Sequence, residues 1–425
     1  MTTRLLPGKN PSDRSKIFYG WYIVGAGMGI HLWVSMAWIY GMQVFFTPIV
    51  ETFGWSRAII SGAFALQRLE GSIASPVEGF LVDKFGPRPL VLFGAILSGS
   101  GLIMLSFLQS IWMFYVCVLL VSLGISASVG IPRSWAIVQW FRRSRGRALG
   151  IGSSGAVLSG PLLIIVVRLV EGVGWRPAFL ILGIATWLIC IPLGMVFRSR
   201  PELYGLAPDG DSLPSEQLSM NDPSQNKRNP LLVEDSMTIR DALKTNTFWI
   251  LALVFGAQTM GVSGLIVHLI PYLQTIGFSS SEAASVLAIY TVLSVFGRLG
   301  GGLAMDYIDP RLVLSGLLAC MAVGILILAN LSSYWQVFPF ALLYGTAFGG
   351  MIPARSVLVS MYFGTKNFGA LQGLTQSVTV IAGMTSPVLL GIVFDLTESY
   401  LIALYILVAI SGLAIPVALL ARPPR

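Results

Sequence analysis

The residue whose type and setting most clearly predict chemistry is Arg298, which stands between Ser294 and Gly302 with four glycines around it. The apolar run that contains it extends from about Ala283 to Met305. A charge at the centre of such a run in a bilayer costs at least about 2.5 kcal/mol. A guanidinium stays protonated and offers paired N–H donors to a carboxylate. Arg298 therefore predicts an anion site that faces an aqueous cavity, and the alternative is a structural ion pair with a neighbouring helix.

Three more polar side chains interrupt apolar runs at positions where they could bind or couple. Arg68 and Glu70 are two residues apart, so they point in different directions on a helix. Arg68 is a candidate second cation of the cavity or a side chain that pairs locally, and Glu70 is a candidate proton carrier. His31 is a candidate coupling residue, because an imidazole changes charge near neutral pH.

Neutral polar side chains give a second group of candidates for orienting a small anion. Tyr40, Gln258, Tyr290 and Gln376 each lie within an apolar run. The alternative for each is a hydrogen bond between two helices, which is a common use of a polar residue in a membrane.

A third group consists of charges near one end of the apolar runs. Asp83 and Arg133 occupy places that match those of Asp306 and Arg355, and Arg88 follows Asp83 closely. We expect Asp83 to pair with Arg133, and Asp306 with Arg355, in ion pairs that hold an outward-open state. The alternative is a static brace, and Glu78 is a competing partner for Arg133.

The composition places all of these residues in a membrane protein. The chain has 425 residues, 55% of them hydrophobic and 11% charged, with a mean hydropathy of +0.78, whereas soluble proteins average about 25% charged residues. The apolar runs are too many and too long for the core of a soluble protein. No metal-ligand spacing or paired carboxylates stand out in them, so we predict no metal, no cofactor and no enzymatic activity.

Apolar stretches of about 20 residues predict twelve membrane-spanning helices. They cover residues 20–49, 57–82, 89–108, 111–140, 148–170, 177–197, 247–273, 282–305, 311–330, 335–362, 368–394 and 400–420.

Charge and polarity divide these spans and orient them. With the N-terminus inside, 20 of the 27 Lys and Arg residues fall on the cytoplasmic side, the bias typical of inner loops. Both termini are expected in the cytoplasm, and the positive charge needs no nucleic-acid partner. The polar segment 198–244 predicts a cytoplasmic linker between a six-helix bundle at 1–197 and another at 245–425.

The two predicted bundles repeat each other. Gly79–Arg88 and Gly302–Arg311 share the spacing of Gly, Asp and Arg at a shift of 302 − 79 = 223 residues. Arg133 and Arg355 each follow a proline, with a glycine eight residues before that proline. A parallel duplication of this kind is typical of one large transporter architecture.

These motifs resemble the major facilitator superfamily over essentially the whole chain. The stretch Gly79–Arg88 is similar to the signature loop between the second and third helices of that family, with a degraded copy at 302–311. The run Trp140–Gly155 is similar to the one that opens the fifth helix in monocarboxylate transporters and the neighbouring oxalate–formate exchangers. The entry Tyr19-Gly20-Trp21 and the linker start at 200–210 also resemble that branch.

The resemblance implies an all-α integral membrane protein of two pseudo-symmetric six-helix bundles, which moves a small monocarboxylate across the cell membrane by alternating access. It implies that Arg298 binds the carboxylate, that coupling is to protons or a counter-anion, and that the protein is a monomer. Three positions depart from the branch: Ser294 replaces the proton-accepting aspartate, Tyr40 a lysine of the first helix and Gln376 the second cation of oxalate exchangers. Alternatives are a facilitator for drugs or sugars, an intramembrane enzyme and a membrane sensor.

Overall fold

The computed structural model describes residues 17–211 and 236–424, and within these ranges the secondary structure is entirely helical, without β-strands. The described ranges contain twelve long helices, and a short helix, Ile239–Lys244, precedes the seventh. The long helices are α1 (Tyr19–Phe53), α2 (Arg57–Phe85), α3 (Pro87–Ser106), α4 (Ile111–Trp140), α5 (Arg145–Val173), α6 (Trp175–Met195), α7 (Asn246–Thr275), α8 (Ser281–Tyr307), α9 (Pro310–Ala329), α10 (Tyr334–Phe363), α11 (Phe368–Thr397) and α12 (Leu401–Leu420).

The predicted all-helical membrane fold is confirmed. Each helix end lies within four residues of its prediction, and eleven of the helices in the described ranges have the length and apolar composition to cross a bilayer. Helix α2 is the exception, because Gln67, Arg68, Glu70 and Glu78 interrupt its apolar sequence. At 29 residues it is still long enough to span the hydrocarbon core, given a rise of about 1.5 Å per residue. The polar residues of α2 therefore need a surrounding other than lipid.

Three helices change their geometry next to candidate residues. A π-helical turn, Ser35–Ile39, interrupts α1 just before Tyr40, and a second one, Gly297–Gly301, contains Arg298 in α8. Such turns are rare and often occur at functional sites. Helix α4 breaks at Gly130 and resumes at Ile131. Pro132 stands in the first turn of the new segment, where its missing N–H costs nothing, and Arg133 follows it.

Both described ends of the chain lie at one end of the helix assembly. The Tyr19 hydroxyl donates to the Val196 carbonyl at 2.9 Å, and the Thr247 hydroxyl donates to the Arg422 carbonyl at 2.7 Å. The described parts of the linker, 198–211 and 236–244, lie at this same end, which we call the linker end. The assignment of the linker end to the cytoplasm stays a prediction from charge. The limits of the two bundles at residues 197 and 245 also stay predictions.

The first six helices meet the last six mainly through α2 with α11 and through α5 with α8 and α10. Glycines allow the close approach of α5 to α8: a side chain at Gly150 would meet the carbonyl oxygen of Arg298, and one at Gly302 the carbonyl oxygen of Gly146. The cross-half hydrogen bonds of the described residues run from the linker end to Arg298 and Ser377. The structure is therefore closed at the linker end.

Candidate functional site

A cavity of about 620 Å³ lies between the halves, and α2, α4, α7, α10 and α11 form most of its wall. Its charged lining residues are Glu70, Glu78, Arg133 and Arg355. The polar residues of α2 thus face this cavity, which explains how that helix tolerates them. The size is within the range of small-molecule sites.

Arg133 lines the cavity from the resumed segment of α4. Its Nη1 lies 2.6 Å from Nδ1 of His31 and donates to the Gly152 carbonyl at 3.3 Å. A guanidinium only donates hydrogen bonds, so Nδ1 of His31 accepts and the imidazole is neutral in this arrangement. The structure therefore brings His31 to a cavity cation. The Nε of Arg133 is buried and has no hydrogen-bond partner.

Arg355 lines the cavity from α10, at the place that corresponds to Arg133. Its Nη1 donates a short hydrogen bond to Oε1 of Gln376, and its guanidinium lies 5.1 Å from the centre of the Phe255 ring. Gln376 and the 6% exposed Gln258 also line the cavity. Three predicted site residues are thus gathered on the wall formed by α7, α10 and α11, and the Nε of Arg355 is unpartnered.

Arg298, which we expected to face the cavity, is only 4% exposed and is not among the residues that line it, so the predicted position on the cavity wall is not observed. Its Nη1 donates to the carbonyl of Ser153 in α5 at 2.6 Å, and its guanidinium lies 5.9 Å from the centre of the Phe348 ring. That carbonyl is accessible because α5 tightens there: the N–H of Val157 donates to Ser154 instead. The alternative of a structural ion pair is not what the described residues show. Arg298 holds a carbonyl oxygen across the two halves.

The three guanidiniums share one property. Within residues 17–211 and 236–424, Arg133, Arg298 and Arg355 have no carboxylate within the 4.0 Å of an ion pair, and each has a buried Nε without a partner. A buried charge normally pairs. Three such groups therefore leave room for an anion.

The two predicted tyrosines differ in their surroundings. Tyr40 follows the π-helical turn of α1 and is half-buried. Tyr290 is 4% exposed and packs against Tyr344, at 5.2 Å between ring centres, and against Phe348. Tyr290 thus lies in the core behind Arg298 and not in the cavity wall. Its contact with a substrate stays a prediction without a geometric basis here.

The acids of α2 are held by serines of α4. The hydroxyl of Ser122 donates to Glu70 Oε2 at 2.8 Å, and the hydroxyl of Ser126 donates to Glu78 Oε2 at 2.9 Å. Glu78 was considered from sequence only as a competing partner for Arg133, and that pairing is wrong. The side chain of Arg68 lies outside the described residues, so its prediction stays open.

The predicted gate acids are at the linker end, but their partners differ from the expected arginines. Asp83 accepts from the backbone N–H groups of Gly369 and Ala370, at 3.0 and 2.8 Å, and from the Trp135 indole at 2.8 Å. The expected Asp83–Arg133 pair is wrong. The first N–H groups of α11 lack partners within their own helix and carry its positive dipole end, so they attract the carboxylate.

The second gate has the same construction. Asp306 accepts from the N–H groups of Gly146 and Arg147, at 2.6 and 3.0 Å, where α5 begins. The expected Asp306–Arg355 pair is wrong for the same reason. The two contacts, Asp83 with Gly369 and Ala370 and Asp306 with Gly146 and Arg147, are called the latches below. They are related by the repeat, since 306 − 83, 369 − 146 and 370 − 147 all equal 223. Arg88 is exposed at the start of α3, and its gating role stays a prediction.

One acid beside the second gate was not predicted. Asp209, from the linker, accepts from the N–H groups of Arg142 and Arg143, at 2.9 and 2.8 Å, and of Ser144 at 3.3 Å. These residues lead directly into the N–H groups that Asp306 binds. Asp309 replaces the signature-loop glycine Gly86 at the same shift, and its hydrogen bond to Arg311 lowers the pKa of its carboxyl.

The described residues contain no group of three His, Cys, Asp or Glu side chains placed to hold a metal ion. The site is therefore built from guanidiniums, amides, serine hydroxyls and two carboxyl groups. Such a set can bind an organic anion and exchange protons with water.

Comparison with known proteins gives matches over nearly the whole chain. A family model described as Major Facilitator Superfamily matches residues 28–308 and 251–425. An uncharacterised MFS-type transporter, YcxA of Bacillus subtilis, is 25% identical over 88% of this chain and 88% of its own length. Monocarboxylate transporter 2 of Homo sapiens is 25% identical over 90% of this chain and 81% of its own.

A solved structure has the same fold. The crystal structure of the transporter FucP in the outward conformation superposes with a TM-score of 0.69, covering 95% of this chain and 99% of that one at 12% identity. At that identity the likeness concerns the fold alone.

Proposed function

The chain belongs to the Major Facilitator Superfamily, and we propose that it moves a small monocarboxylate across the cell membrane by alternating access. The observation that carries the proposal is the set of three guanidiniums, Arg133, Arg298 and Arg355, which have no carboxylate partner among the described residues. The similarity to monocarboxylate transporters supports a carboxylate as the anion.

The cavity-facing cations receive the substrate first in this proposal. Arg355 and Gln376 lie together on one wall, with Gln258 beside them, and Arg133 lies on the other side with His31. A carboxylate that bonds to the free N–H of Arg355 gains charge-assisted hydrogen bonds in a partly desolvated site. The amides orient the rest of the molecule.

Arg298 acts at the next step, because its bond to Ser153 crosses between the halves. When the linker end opens, α5 and α8 must separate and that bond must break. The guanidinium then has all its donors unsatisfied, and a bound carboxylate can replace the lost carbonyl. The substrate would thus bind the separated state more tightly than the closed state. A ligand can drive a conformational change only through such a difference in affinity.

The test is uptake by proteoliposomes of purified protein from a panel of labelled monocarboxylates, dicarboxylates and neutral sugars. We expect saturable uptake and counterflow of one or more monocarboxylates, with little for dicarboxylates. Arg240→Lys, on the exposed short helix, is the matched control and should transport normally. Transport of sugars alone would contradict the proposal and favour another facilitator function.

A further inference from the structure

Two carboxyl groups of α2 form a ladder along one wall of the cavity. Glu70 and Glu78 are eight residues apart, and their partners Ser122 and Ser126 are four apart on α4. Both acids and both serines line the cavity. The acids therefore follow one another along the path between the two ends of the molecule.

Neither acid has the cation or the several hydrogen-bond donors that an ionised carboxylate needs away from water. Each receives a single hydrogen bond from a neutral hydroxyl, and Oε1 of Glu70 is buried with no partner. Within the described ranges, no Arg, Lys or His nitrogen lies within 4.0 Å of either acid. Desolvating an unpaired carboxylate is far more costly than desolvating a neutral carboxyl group.

Asp83, on the same helix, shows the contrast. Its carboxylate accepts three N–H bonds, two of them from the start of α11. Such a set stabilises the charged form. Asp83 thus receives three hydrogen bonds from N–H donors, whereas Glu70 and Glu78 receive one hydrogen bond each, from a hydroxyl.

The groups that face this ladder come from four helices. Helix α4 contributes Arg133, whose Nη1 is bonded to His31 of α1, and α10 contributes Arg355. Helices α7 and α11 contribute Gln258, Gln372 and Gln376, which do not titrate. On α2 itself, Asp83 is engaged at the linker end, and the side chain of Arg68 lies outside the described residues. Among the described residues, the hydrogen bonds of Arg133 and Arg355 thus go to neutral groups and not to Glu70 or Glu78.

We propose that Glu70 and Glu78 are the proton-carrying groups of this transporter, so that one proton accompanies each carboxylate. The inference rests on the proposed function and makes its coupling specific. A proton passes from water in the open cavity to a carboxylate oxygen of the ladder while the substrate binds the guanidiniums. After the halves rock, the proton returns to water on the other side and the substrate leaves. The transported pair is electrically neutral.

Glu78 is the principal site in this proposal, because it is only 7% exposed and lies five residues before the latch acid Asp83. Its protonation can therefore respond when the latch opens. Glu78→Gln and Glu70→Gln keep the shape and still accept from the serines, but they cannot exchange a proton. Glu51→Gln, on the exposed end of α1, is the matched control.

The first measurement compares two transport modes in proteoliposomes. Counterflow exchanges labelled for unlabelled carboxylate without net proton movement, whereas accumulation driven by a pH gradient requires it. We expect Glu78→Gln to lose gradient-driven accumulation and to retain counterflow, and Glu51→Gln to retain both. Gradient-driven accumulation by the Glu70→Gln/Glu78→Gln double variant would overturn the proposal, and so would counterflow by the wild type without any response to a pH gradient.

The second measurement needs no substrate. Infrared difference spectra of the reconstituted protein across a pH series report the carbonyl stretch of protonated carboxylic acids. We expect a band in the wild type that the double variant lacks and Glu51→Gln keeps. An unchanged band in the double variant would overturn the proposal. A wild type with the band but without carboxylate counterflow would instead mean that the proposed substrate is wrong and the proton site is right.

Discussion

Helices α2 and α8 occupy corresponding places in the two halves, and their last turns do the same work. Asp83 and Asp306, 223 residues apart, each bind the first N–H groups of a helix in the other half. Above that point the chemistry differs. Arg298 corresponds to Ser75 (298 − 223), and Glu78 corresponds to Gly301 (78 + 223).

This contrast between the last turns and the cavity-facing turns of α2 and α8 shows which part of the repeat is kept alike and which part differs between the halves. A latch works only if both halves close together, so its geometry is the same in both. The cavity residues of the two halves face one another across the substrate, so the two halves can differ there and each can bind a different group. In our proposals α4, α8 and α10 provide the cations for the substrate, and α2 provides the acids for the proton. Five substitutions test the cations and the latches, and we take them from the largest expected effect to the smallest.

Arg298→Lys should strongly reduce carboxylate uptake. Lysine keeps the charge but loses the planar pair of donors, and charge-assisted hydrogen bonds contribute about 1.5–3 kcal/mol each, or roughly 10- to 100-fold in transport. The measurement is initial uptake in proteoliposomes, beside binding by calorimetry. Normal uptake would remove Arg298 from the site and leave the anion to Arg133 and Arg355.

Arg355→Lys should raise the KM for the carboxylate by about tenfold, the loss of one charge-assisted bond, while the maximal rate changes less. Its guanidinium lines the cavity beside Gln376 and takes no part in the contact between Arg298 and Ser153. The KM is measured in the same vesicles, with Arg240→Lys as the control. An equal fall in rate with an unchanged KM would assign Arg355 to the conformational step instead.

These two arginines also show how far the sequence predicts the site. The apolar pattern predicts the twelve helices to within four residues, and the glycine-rich segment marks Arg298 as unusual. The pattern does not reveal the partner of Arg298, because that partner is a backbone carbonyl of α5. Its availability depends on a helix irregularity at Ser154 and on close approach at Gly150. Only tertiary packing decides both.

The latch acids were located correctly but paired wrongly for a related reason. Opposite charges on neighbouring helices suggest ion pairs, whereas unpaired N–H groups at a helix start have no signature in side-chain sequence. The role of Glu78 is hidden from the sequence for the same reason. Its serine partner is visible in the sequence, but only the register of α2 against α4 brings Ser126 to it.

Asp83→Asn and Asp306→Asn should each loosen the closed linker end by about 1–2 kcal/mol, the upper part of the range for a partly buried charge at a helix N-terminus. Hydrogen exchange at Gly369 and Ala370 and at Gly146 and Arg147 reports the two latches separately. Because the halves rock as units, we expect either variant to raise exchange at both latches about tenfold. A rise confined to the substituted latch would mean that the halves do not open together.

Asp209→Asn should have the smallest effect and should break the equivalence of the latches. Asp209 holds the loop before α5 through three N–H groups. In the loop before α11 the corresponding linker contact is neutral: the Lys366 N–H donates to the Ser236 hydroxyl at 3.4 Å. The φ of Asp209 is +60°, a conformation that asparagine tolerates, so the backbone is preserved and only the charge is lost.

For this substitution, exchange should rise about two- to threefold at Gly146 and Arg147, which corresponds to less than 1 kcal/mol, and stay unchanged at Gly369 and Ala370. Equal rises at both latches would show that the linker acts on the whole opening step. A local effect would instead show that one latch depends on a linker carboxylate, while its repeat partner has the neutral Ser236 hydroxyl at that place and the indole of Trp135 on its acid.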